Sequence, residues 1–220
     1  MTDNTTYLGF QQPADQSDDY HSIGFLITKA LAERQTATLV KIVAVHGGGG
    51  AAAAAGTVDV QPMVHQIDPN GTVVPHGVIH GLPYLRHGGG SDGIICDPKV
   101  GDVGICSFAS RDISTVKTTR QPSGPASRRQ HDWSDGMYHG QILNLAPTQW
   151  IRFSATGVEI HSPNGVTITT PNDVTIQSQT LTINANVLFN GTVVANGHVI
   201  DERHEHTGVV SGGANTGPVT

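Results

Sequence analysis

Two histidines one residue apart, His204 and His206, lie in "IDERHEHTGV" (200–209), close to the C-terminal end of the chain. On an extended strand the side chains of residues i and i+2 project to one side. The pair therefore offers two imidazole nitrogens, donors suited to first-row metals, in a common direction. Glu205, between them, points to the other side and is not a ligand. Two nitrogens do not fill a coordination sphere, and a lone pair of this kind is equally a solvated surface strand. The ligand reading needs further donors brought to the same point.

The segment before the pair supplies them. "GVEIHSPN" (157–164), "GVTITTPN" (165–172) and "DVTIQSQT" (173–180) repeat with a period of eight, aligning Val158, Val166 and Val174 with one another and likewise Ile160, Ile168 and Ile176. Pro163 and Asn164 recur as Pro171 and Asn172. Side chains alternate along a strand, and an even step keeps their parity, so every Val-x-Ile pair faces one way while the rest of the unit turns. Leu181 with Ile183, and Val187 with Phe189, continue the style with slips in spacing. Asp173 is the one Asp, Glu, Lys or Arg between Glu159 and Asp201, and Phe189 the one Phe, Tyr or Trp.

Two apolar side chains in eight residues cannot bury themselves. A single-chain three-sided solenoid uses about three such units per turn, so residues 158–200 would make only about two turns, fewer than a stable stack needs. Three chains wound about one axis solve the problem: each pair meets two symmetry mates in a closed apolar layer, and no strand edge stays open. The repeats thus predict an intertwined trimeric β-helix. In that trimer His204 and His206 become six imidazoles in two layers of three, an octahedral cage that favours iron(II), with nickel or cobalt as alternatives, over four-coordinate zinc. With no open position the ion would staple chain ends rather than bind substrate.

Composition excludes several function classes. Charged residues are 14%, aromatics 5%, and 27 of 220 residues are glycine, which suits an extended β-rich protein better than a compact enzyme. The net charge of −6 argues against a polyanion binder, although 12 histidines make it sensitive to pH. Cys96 and Cys106 are too few for a disulfide framework. The sequence has no leader-like start and no run near the about 18 apolar residues of a membrane span, so assembly in the cytoplasm is expected.

The N-terminal half reads differently. Residues 1–21 are expected to form a polar, flexible arm. "SIGFLITKALAERQ" (22–35) sets Ile23, Leu26, Ile27, Ala30 and Leu31 at helical spacing, predicting an amphipathic helix that opens at Ser22 and docks on the strands C-terminal to it. "TATLVKIVAV", "GTVDVQPMVHQID", "GTVVPHGVIHGLPYL", "GIICDP" and "DVGICSF" predict a small barrel of about five strands, the domain running over 22–117. "GGGGAAAAAG" (47–56) reads as an expendable hairpin tip; it lacks the Gly-Lys-Ser/Thr of a phosphate loop. Residues 118–149 read as a Pro/Ser/Gly linker or collar, 150–200 as β-helix and 201–220 as tip. His65, His76, His80 and His87 read as surface or half-buried histidines rather than ligands.

At several places the chain resembles the baseplate assembly protein V family, the central spike proteins of contractile-tailed phages. The resemblance covers roughly residues 22–218 and is carried by the helix, "VDVQPMV", "VGDVGICSFASRDI", "RRQHDWSDG", the Val-x-Ile repeats and "HEHTGVVSGGANTGP". It implies an OB-fold-like barrel toward the tail tube, a triple-stranded β-helix and a pointed iron-bearing tip held by His204 and His206. Calcium and chloride ions, which some members hold, have no assignable ligands here. The implied partners are two further copies, baseplate hub and tail tube proteins, and the host outer membrane that the spike pierces when the sheath contracts; the implied location is the virion. The implied role is structural rather than enzymatic.

The rival readings are weaker. A trimeric tail-fibre-like adhesin for surface glycans would want exposed aromatics near its tip, and none occurs after Phe189. A fused hydrolase has no room in the stretch between barrel and repeats, where Asp132 and Asp135 lie in the polar linker. A nucleic-acid-binding barrel would want more than Lys41, Arg86 and Lys99 against five aspartates over 37–110.

Overall fold

The computed structural model describes residues 13–48, 53–68, 70–200 and Gly212. It is mostly β with few helices, and divides into two units, residues 1–163 and 164–220.

The first helix, α1 (Asp19–Ala32), comes after a short 3-10 turn at Pro13–Gln16 and opens one turn earlier than Ser22. The N-cap is Asp18, whose carboxylate accepts from the backbone N–H of His21 at 2.9 Å, while the Ser22 hydroxyl donates instead to the Asp15 carbonyl. A carboxylate satisfies orphan N–H groups and offsets the helix dipole, so it wins the cap position. The predicted arm over 1–21 therefore yields its last residues to ordered structure. Among the described residues the predicted docking is not seen: no side chain of α1 is buried, and Ile23, Leu26, Ile27 and Leu31 are 54–68% exposed.

Five strands form the main sheet: β1 (Ala37–His46), β2 (Thr57–Pro62), β3 (Ile79–Pro83), β4 (Val103–Phe108) and β5 (Gly136–Gln141). Their order is β3-β2-β1-β4-β5, every neighbour antiparallel. The sheet curls until its edges meet, where Tyr84 bridges Tyr138 in parallel and the Leu85 N–H donates to the Tyr138 carbonyl at 2.9 Å. Alternation explains the core: in β4, Gly104, Cys106 and Phe108 are buried and the residues between are not. They meet Val40, Ile42, Val58, Val60, Leu82, Tyr84 and Tyr138. Burial pushes the Cys106 thiol up to about 12, and both cysteines are free.

Part of the predicted linker is barrel. Residues 118–149 supply β5, buried Tyr138, and Trp133, whose indole meets the Phe108 ring edge-on at 4.9 Å. The difference has a physical cause, since "GMYHGQ" has too few apolar residues to announce a strand. What holds this segment is polar. Arg129 Nε donates to Asp135 Oδ2 at 2.7 Å, and its Nη2 reaches both Asp112 Oδ1 and Asp135 Oδ1. Asp112 also accepts from Ser114 and Ser127, and Asp135 from the Ile113 N–H. Both aspartates are buried, and α2 (Ser114–Thr119) starts beside them.

The Gly/Ala tract is likewise tied at its base. Arg86 donates to the carbonyls of Gly48 and Ala53 while Asp97 accepts from its Nε and Nη2, both at 2.6 Å.

The barrel is open to two tests. A methyl group at Gly104 would run into the Gly140 carbonyl and the Tyr138 ring, neither free to move, so Gly104→Ala should detach β5 and lower the thermal midpoint by many degrees in a calorimetric scan. The second concerns pH. Hydrogen bonds from Ser114 and Ser127 hold Asp112 well below the usual carboxylate range, and the bond from Arg129 lowers Asp135. A carboxylate depressed on folding stabilises above its unfolded value of about 4 and loses that contribution as pH falls. Chemical denaturation midpoints should then hold from pH 7 to about 4 and drop below it.

Candidate functional site

The surface with the clearest chemistry is the apolar face of the repeats. It begins at a hairpin of β6 (Trp150–Ser154) and β7 (Gly157–His161). The register pairs Ile151 with Ile160 and Phe153 with Val158 on one face, and Trp150 with His161 and Arg152 with Glu159 on the other. The second face is paired within the chain, apart from the buried Trp150 Nε1, which has no hydrogen-bond partner among the described residues: Trp150 stacks on His161 at 4.2 Å, and Arg152 Nη2 donates to both Glu159 oxygens at 2.7 and 2.8 Å. The first face is not, with Ile151 63% and Phe153 80% exposed.

The unit from 164 onward has the same character. No strand is assigned between Ser162 and Val193, yet bends recur at 163–164, 171–172 and 179, keeping the eight-residue step. From Val158 to Phe189, the ten apolar residues of the predicted inward face are between 48% (Val187) and 74% (Ile168) exposed. Among the described residues nothing buries them. A small hairpin ends the described repeats: Val194–Ala195 pairs with His198–Val199 across Asn196 and Gly197, whose φ values of 51° and 81° make the tight turn that this dipeptide favours.

Ile151 and Phe153, exposed beside Val158 and Ile160 on one face of the hairpin, fall outside the period-eight pattern. Their signal was the alternation in "WIRFS", too short to separate from a barrel strand.

His204 and His206 lie outside the described residues. Among the described residues no group of three or more His, Cys, Asp or Glu is placed to hold a metal ion. The barrel histidines are indeed superficial: His65, His80 and His87 are exposed and His76 is half-buried. Two imidazoles do converge on one carboxylate, His46 Nε2 at 3.0 Å and His80 Nδ1 at 2.8 Å from Asp59 Oδ2. Burial opposes the Asp59 charge, but these bonds and the Gly81 N–H outweigh it and hold the carboxyl low. The cluster sits where register slips on both sides of β2, so it pins the bulges of the sheet. No helix among the described residues is long and apolar enough to cross a membrane.

No family model matches the chain, and no curated protein matches it.

Ile168→Asp would set one charge per chain into this face, at a cost of several kcal/mol per charge wherever the face is buried. We expect a soluble, folded barrel, monitored by its circular dichroism, with loss of the high-mass species in light scattering.

Proposed function

We propose that this chain is the central spike of a contractile phage tail: a homotrimer whose barrel faces the baseplate hub and tail tube, and whose intertwined β-helix ends in an iron-stapled point driven through the host outer membrane. The observation that carries the reading is the periodic apolar face, which the chain exposes along its repeats and which only further copies of the same face complement in shape, period and chemistry. A flat row of exposed Val, Ile, Leu and Phe is an aggregation hazard in a monomer and a core in a trimer.

The barrel supports the same reading. Five strands in the order 3-2-1-4-5, with the third and fifth meeting in parallel, is the arrangement of an OB-type Greek-key barrel. His204 and His206 would hold the ion, which supplies rigidity where the tip is narrowest and apolar burial scarcest. Six neutral imidazoles form a closed nitrogen donor set for iron(II). The role is mechanical, in the virion, without catalysis.

Native mass spectrometry of the untagged chain should give a trimer that persists on dilution, and elemental analysis iron near one ion per three chains. His204→Ala with His206→Ala should abolish the iron and leave the trimer. A folded monomer would overturn the architecture; one metal per chain, or unchanged metal in the double variant, would overturn the tip.

A further inference from the structure

Helix α1 carries the other exposed apolar stripe, and the charge of the segment that holds it says what covers it. Residues 15–33 carry four Asp or Glu and one Lys, a net of −3, with Asp18 and Glu33 as the caps of the helix and Asp19 as its first residue. Residues 111–129 carry five Lys or Arg and one Asp, a net of +4 in a chain whose total is −6. Within that basic stretch Asp112 is consumed by Arg129. Arg111, Arg120 and Arg128 are exposed, and none of them enters an ion pair among the described residues. Exposed Val116 lies in the same stretch.

The two segments are tied at one place, just beyond the helix. Just beyond α1, Arg34 Nη1 donates to Gln130 Oε1 at 3.1 Å, and His131 Nδ1 lies 3.0 Å from the Gln35 carbonyl oxygen. The root of the helix is thereby pinned beside the arginines, while its body, about 21 Å long, is unburied. A helix this short is marginal in water without a packed face. We propose that α1 is an exchange arm: in the trimer each α1 lays its apolar face, with the acids at its two ends, on the basic 111–129 stretch of the neighbouring copy. Three helices and three basic stretches close a head-to-tail ring with none left over, as a cyclic assembly requires. The proposal rests on the trimer argued above, and adds a contact that the repeats do not need.

The test is a full-length chain carrying a benzophenone amino acid in place of Ile27. Irradiation should yield covalent dimers and trimers on a fully denaturing gel, with the bridge mapped by mass spectrometry to residues 111–129 of another chain. Arg111→Glu, Arg120→Glu and Arg128→Glu together should cut the yield about tenfold, as expected for several exposed charge contacts reversed at once. Adding Asp19→Arg should restore part of it, which guards against a variant that merely folds poorly. A photoproduct confined to single chains, or one mapping elsewhere, in a protein that light scattering shows to be trimeric overturns the exchange arm and leaves the spike standing. A monomer overturns both.

Discussion

An apolar pattern left exposed among the described residues governs this molecule. Its Val-x-Ile pairs come at steps of eight from Val158 to Ile176, and the rest of those three units is Gly, Thr, Ser, Asn, Pro and Gln with Glu159, His161 and Asp173. The hairpin of β6 and β7 shows the division in miniature. Trp150 stacks on His161 and Arg152 pairs with Glu159 on one side, while Ile151, Phe153, Val158 and Ile160 on the other are 61–80% exposed. Hydrophobic burial is the main favourable term in folding, and these side chains leave it unused among the described residues. Charge is nearly absent from the repeats, Asp173 being the one Asp, Glu, Lys or Arg between Glu159 and Asp201.

The barrel solves the opposite problem, stabilising itself with a small core. Its buried apolar set is short, and polar constraints make up the difference. Arg129 ties two buried aspartates together, joining the start of α2 to the approach to β5. Asp59 accepts from His46, His80 and Gly81 at the point where β2 shifts register against both neighbours. Such groups contribute modest net energy but are costly to strip of a partner, so they select one arrangement of the strands over its slipped alternatives. In the resulting curl the third and fifth strands meet at Tyr84 and Tyr138.

Elsewhere the chain separates its charge. Residues 15–33, which hold α1, carry a net of −3, residues 111–129 around α2 a net of +4, and the links through Arg34 and Gln35 hold their junction. The apolar stripe of α1 was plain from Ile23, Leu26, Ile27 and Leu31, but periodicity gives a face and not its address.

What the sequence by itself determined is whatever depends on local period and residue type. The eight-residue repeat announces a face, "TATLVKIVAV" and "DVGICSF" announce β1 and β4, and the bends recur where the Pro-Asn steps stand. Tertiary structure alone decided the rest. Nothing in "GMYHGQ" marks it as the closing strand, because its place comes from the backbone ladder to β4, the closeness that Gly104 permits, and a Tyr138 ring buried from afar. Asp18 displaced Ser22 as the cap through its hydrogen bonds to His21, a competition that spacing cannot rank. Arg129 and Asp135 read as linker polarity, and nothing joined them to Asp112 in the predicted barrel until folding brought the three together, for a sequence displays charges one at a time and only a fold pairs those far apart in the chain.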